Sequence, residues 1–132
     1  MLDVHAMIGI PFKYGGRHPE EGLDCYGLVI HFYSTVYGLP VPDVDIYDDS
    51  QRHQSAEIHD RLRMQPQWVE TKELCDGDVV TFGEGNGSKD AIHCGIYVNG
   101  YVLHTTERAG SVLMRFARLL PRVKGAYRLC RA

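Results

Sequence analysis

Along the first third of the chain, apolar positions recur at helical spacing after Asp24. Cys25, Val29, Phe32 and Val36 share one face, and Gly38 followed by Pro40 ends the run. This predicts a helix from Asp24, as N-cap, to about Tyr37, with Cys25 in its first turn. Before it, Asp3 can cap a short helix that Gly9 and Pro11 stop, and Tyr14 to Pro19 reads as a tight loop. After it come an acidic, proline-punctuated stretch from Pro40 to Ser50 and a modestly amphipathic helix from Ser50 to about Met64. The second half changes period. Val79–Phe82, Ile92–Val98, Tyr101–Thr105 and Val112–Phe116 are β-branched or aromatic runs separated by turn residues, which predicts an antiparallel sheet. Asn99-Gly100 between two of these runs favours a two-residue type I′ hairpin. Helices first and a strand meander second give an α+β fold, with N-terminal helices packed on a C-terminal antiparallel sheet.

Length and charge narrow this picture. At 132 residues the chain fits one domain, 1–132, without repeat or linker. The 14 Lys+Arg against 17 Asp+Glu leave a net charge of −3, too mild for capture of nucleic acid or an anionic membrane to be the main activity. The N-terminus has no basic stretch followed by an apolar one, so the expected place of synthesis is the cytoplasm, without a signal peptide. Cys25, Cys75, Cys94 and Cys130 form no Cys-x-x-Cys pair, which argues against a zinc knuckle or a redox motif. No metal or cofactor is expected, and all four cysteines are read as reduced thiols.

One of those thiols has a nucleophile's setting. Cys25 lies near the positive end of a helix dipole, where the attacking thiolate is favoured, and Cys75, Cys94 and Cys130 lack this. Gly27 leaves space nearby, and Gly15 and Gly16 allow another backbone to approach. A thiol nucleophile also needs an imidazole. His5, His18, His31, His53 and His59 show no partner pattern and read as ordinary polar residues. His93 and His104 stand on two strands of one predicted hairpin. If Asn99-Gly100 form its loop, Val98 pairs with Tyr101, Tyr97 with Val102, Ile96 with Leu103 and Gly95 with His104. His93 and His104 then share a face, diagonal to one another at roughly 7–8 Å.

Four ordered strings now carry a resemblance. Gly9-Ile10-Pro11-Phe12-Lys13-Tyr14-Gly15-Gly16 resembles the "G-x-P-[YF]-x-[WY]-G-G" opening of NlpC/P60 domains, and Asp24-Cys25-Tyr26-Gly27-Leu28-Val29 is similar to their "D-C-S-G-L-V". Gly77-Asp78-Val79-Val80-Thr81-Phe82 is similar to "G-D-L-V-F-F", and His93-Cys94-Gly95-Ile96-Tyr97 to "H-V-G-I-Y". The resemblance implies a papain-like core and a cysteine peptidase acting on peptidoglycan stem peptides, at the bond between D-glutamate and a diamino acid. By position it implies Cys25 as nucleophile, His93 as base and His104 as the residue that orients the imidazole. It leaves Tyr14 as the aromatic hydroxyl near the oxyanion, and Asp24 as helix cap or contact to a substrate amino group. Tyr26, where the family has a small serine, is expected to narrow the cleft. Together with the missing secretion signal and the short chain, it resembles the phage and prophage tail-assembly branch, which would add phage tail proteins as partners and deliver the protein to the cell wall.

Two further strings carry less. Gly83 to Lys89 inverts the Lys-Ser/Thr order of a phosphate loop, and the Asp43/Asp45 stretch lacks the glycine and closing glutamate of a calcium loop. Two other functions stay open from sequence: an acyltransferase or transpeptidase using the same thioester, and a mainly structural tail-assembly module.

Overall fold

The computed structural model describes residues 2–43, 67–83 and 93–130. The expected helix over Ser50–Met64, most of the acidic stretch and the glycine-rich loop from residue 84 on lie outside the described residues. The architecture is α+β. A six-stranded antiparallel sheet has the order β3-β8-β4-β5-β6-β7, built from β3 (Trp68–Glu70), β4 (Val79–Phe82), β5 (His93–Val98), β6 (Tyr101–Thr106), β7 (Gly110–Arg115) and β8 (Val123–Leu129). A separate two-stranded pair, β1 (Arg17–His18) with β2 (Gly22–Leu23), precedes helix α1 (Cys25–Phe32).

The hairpin register follows the count from Asn99-Gly100. Val98 pairs with Tyr101, Tyr97 with Val102 and Ile96 with Leu103. Asn99 and Gly100 both adopt positive φ, 53° and 87°, as a type I′ turn requires. Helix α1 begins on Asp24 as expected and widens into a π-turn at Tyr33–Tyr37 before Gly38 ends it in the left-handed region.

Other boundaries differ for physical reasons. The expected N-terminal helix is a single 3-10 turn, His5–Met7. Few residues separate Asp3 from Gly9, too few to repay helix nucleation, and the backbone is used otherwise: Gly9 N–H donates to Ser111 O and Ser111 N–H to Ile10 O, tying the segment to β7. The last expected strand starts earlier, at Gly110, and ends at Arg115, because Phe116 opens the short helix α2 (Phe116–Leu119).

The sheet buries both faces. On one, α1 packs with Leu28, Val29 and Phe32 against Val79, Cys94, Ile96, Val98 and Leu103. On the other, Val80, Phe82 and Val102 meet Leu119 of α2. No helix among the described residues is long and apolar enough to cross a membrane.

Candidate active site

The start of α1 is held by an ionic lock. Asp24 is fully buried, and its Oδ1 accepts from Gly27 N–H at 2.6 Å, the N-cap bond that satisfies a free donor of the first turn. The same oxygen accepts from Arg17 Nη1 at 2.6 Å, while that nitrogen also donates to Gly16 O at 2.8 Å. Arg17 Nε and Nη2 reach Asp43 at 2.9–3.1 Å. Burial alone would lower the pKa of the guanidinium, but its hydrogen bonds to Asp43 and Asp24 outweigh this and hold it above its ordinary value. Gly27 fits the same lock. A Cβ there would lie 2.3 Å from Gly16 O, so this glycine admits the loop backbone and does not simply open space beside the sulfur.

Cys25 follows in the first turn, with 1 % of its surface exposed. Its thiol neighbours that of Cys94, the second residue of β5, and the two belong to one apolar cluster. Burial, together with this neighbour, pushes the Cys94 thiol well up. Cys25, Cys75, Cys94 and Cys130 form no disulfide.

The histidines gather on the other face of the sheet. His93 stacks on Phe82 with ring centroids 5.6 Å apart, and His104 meets the same ring edge-on at 5.4 Å. Both line a cavity of about 510 Å³ with Arg122, Glu107, Met114 and Thr105. Gly95 makes this arrangement possible, since a Cβ there would lie 2.7 Å from Leu103 O and 3.0 Å from His104 Cβ. His104 Nε2 and Thr105 Oγ1 are buried without a hydrogen-bond partner among the described residues. Burial, then the neighbouring His93 and Arg122, lowers the pKa of His104 to about 4, so its ring is neutral at neutral pH.

The expected site residues are therefore distributed as follows. His93 and His104 lie together on one face, as the hairpin count requires. Cys25 packs on the opposite face against Cys94, and His93 is the first residue of β5. The Tyr14 hydroxyl donates to the carboxylate of Glu107, a lining residue of the histidine cavity, which commits its hydrogen at the cavity rim. Tyr26 corrects an expectation. It is fully buried, donating from its hydroxyl to Pro42 O and accepting from Trp68 Nε1, each at 3.1 Å, so it fills the core and does not narrow a cleft. Asp24 is a cap, and Arg17 occupies the place where a substrate amine was expected. Sequence reasoning missed Arg17, Glu107 and Arg122. Arg17 alone left a signal, as a cation in the loop that leads to the Asp24 cap.

Residues 9–118 match the model of the NlpC/P60 family. The chain belongs to that family. The match contains all four motifs, and with them Cys25, His93 and His104, while Tyr26 and Cys94 replace the serine and valine of the NlpC/P60 strings. Among curated relatives, the Murein DD-endopeptidase MepH of Escherichia coli (strain K12) is 31% identical over 111 residues, covering 83% of this chain and 36% of that protein. The Bifunctional muramidase/DL-endopeptidase CwlT of Bacillus subtilis (strain 168) is 31% identical over 100 residues, covering 75% of this chain and 26% of that protein. The chain thus spans about a quarter to a third of the length of these two relatives. Among solved structures, NlpC1 from Trichomonas vaginalis superposes with a TM-score of 0.65 at 21% identity, covering 98% of this chain and 42% of that chain, and so shares the NlpC/P60 fold.

Proposed function

We propose that this NlpC/P60 domain is a cysteine peptidase that hydrolyses a peptide bond in peptidoglycan stem peptides, between D-glutamate and a diamino acid. The observation that carries the reading is the placement of Cys25 in the capped first turn of α1 beside β5, whose first residue, His93, shares a cavity with a neutral His104. The relatives named as murein DD-endopeptidase and DL-endopeptidase support the substrate class.

In this reading the Cys25 thiolate attacks the scissile carbonyl carbon after its proton passes to His93. The tetrahedral intermediate collapses, the C–N bond breaks, and His93 returns the proton to the leaving amine. Water, deprotonated by the same imidazole, then hydrolyses the thioester and regenerates the thiol. His104, kept neutral by burial, orients His93 without adding a second positive charge beside the imidazolium that forms. Tyr14 reaches the developing oxyanion only by leaving Glu107, so closure on substrate includes that exchange. Delivery as part of a phage tail, after synthesis in the cytoplasm, belongs to the same proposal and rests on the resemblance at Tyr26.

Defined muropeptides incubated with the purified protein test it, with products read by mass. The expected products arise from cleavage at the D-glutamyl bond, and Cys25→Ser abolishes them while circular dichroism stays unchanged. Amine-capped products on adding free amines would replace hydrolysis with the acyltransferase reading. Full activity in Cys25→Ser would remove the nucleophile assignment, and no turnover by the intact chain would leave the structural-module reading.

A further inference from the structure

The contact between the Cys25 and Cys94 thiols has no part in the hydrolysis just described. The "H-V-G-I-Y" string has valine where this chain has Cys94, and a valine would fill the same apolar site. The residue at 94 is fully buried in the α1-facing cluster, its neighbours are apolar, and its sulfur lies against the one thiol at the start of α1. The other two cysteines, Cys75 and Cys130, are exposed. Cysteine at 94 therefore adds one property that packing does not need: a second sulfur within reach of the first.

We propose that Cys25 and Cys94 are a modification site, a thiol pair that a peroxide converts to an intramolecular disulfide and a dithiol reductant restores. The Cys25 thiolate attacks one peroxide oxygen, forming an S–O bond as the O–O bond breaks. Hydroxide leaves and Cys25 becomes a sulfenic acid. The Cys94 sulfur then attacks the Cys25 sulfur, the S–S bond forms and the S–O bond breaks. Burial keeps Cys94 as the neutral thiol, so its proton leaves with the departing hydroxide as water. Two thiols are oxidised and one peroxide is reduced to two waters. The disulfide protects Cys25 from irreversible oxidation to sulfinic acid while holding the nucleophile out of use. That last consequence rests on the proposed hydrolase reading; formation of the bond does not.

The test treats the full chain with hydrogen peroxide, alkylates remaining thiols, digests with trypsin and reads the peptides by mass without reduction. The expected result is a linked pair of the peptides carrying Cys25 and Cys94, lost on adding dithiothreitol, with Cys75 and Cys130 alkylated. Muropeptide cleavage is lost on peroxide treatment and returns with dithiothreitol. In Cys94→Val, cleavage before oxidation is retained, but peroxide drives Cys25 to sulfinic acid and dithiothreitol no longer restores activity. Cys25 sulfinic acid with Cys94 still alkylatable in the unsubstituted chain overturns the proposal, whatever the variant does. If the linked peptides form but the chain cleaves no muropeptide under any condition, the thiol pair stands and the hydrolase reading is what fails.

Discussion

The two faces of the central sheet solve opposite problems. The face toward α1 is dry: Cys25, Cys94, Leu28, Phe32 and Ile96 are almost wholly buried, and its one ionic cluster, Asp24 with Arg17 and Asp43, sits at the rim with its charges paired. The opposite face is apolar around Val80 and Val102 but opens beside Phe82 into the cavity of His93, His104 and Arg122, where the buried Nε2 of His104 has no hydrogen-bond partner among the described residues. One face fixes the Cys25 sulfur by packing, and the other sets His93 and His104 at a cavity. Rigidity and unsatisfied chemistry are thus divided between the two sides of β5, which meet at His93.

The largest stability effect is expected where the dry face depends on charge. Arg17→Ala leaves the buried Asp24 carboxylate with the Gly27 N–H but without its cation, and costs about 3–5 kcal/mol of folding stability. Urea unfolding of the variant measures this. Arg17→Lys should recover only part, because an ammonium cannot span Gly16 O, Asp24 and Asp43 as the guanidinium fork does. A loss near that of an exposed ion pair, under about 1 kcal/mol, would mean that the lock is peripheral to the helix start.

What the sequence made legible divides along the same line. The helix start at Cys25 and the shared face of His93 and His104 were readable because each is fixed by local pattern: a cap and helical period for the first, a two-residue turn and strand alternation for the second. The ionic lock was not, since Arg17 on β1 and Asp43 in the segment after Gly38 meet at Asp24 and no periodicity links them. Tyr26 was misread for a related reason. Its place after the nucleophile suggested a cleft, but its direction is set by Trp68, far along the chain, whose indole N–H needs a buried acceptor. Strands β3 and β8 were missed because β3 is three residues long and β8 carries Lys124, Gly125 and Arg128 within its run.

On the open face the expected effect is smaller and confined to acid. His104 has a folded pKa of about 4 against an ordinary 6.5. Between these values the unfolded chain binds a proton that the folded chain excludes, so stability rises with pH across the window and is lost as pH falls from 6.5 toward 4. The loss should be about 3 kcal/mol. Its measure is the slope of denaturant midpoint against pH, compared between the native chain and His104→Gln. His31, also lowered by burial, contributes in the same sense and persists in both. Equal slopes would mean that His104 is not held neutral by the fold.

The smallest effect separates packing from chemistry beside Cys25. Tyr26→Phe keeps the ring in place and removes only the hydroxyl, which leaves the Trp68 indole N–H and the Pro42 carbonyl without their shared partner. Trp68 is buried while Pro42 is exposed, and β3 is an edge strand, so Trp68 can relax toward water and limit the loss. The expected cost is about 1 kcal/mol, read as a small drop in the thermal midpoint. Trp68→Phe should cost more, through lost ring area, and in the double variant the two costs should sum to less than their total, because the bond they share can be lost only once. Muropeptide cleavage should be unchanged in Tyr26→Phe, since a fully buried hydroxyl meets no substrate. Unchanged stability with reduced cleavage would reverse the assignment, making the Tyr26 hydroxyl part of the cleft after all and moving the boundary between the dry face and the reactive one.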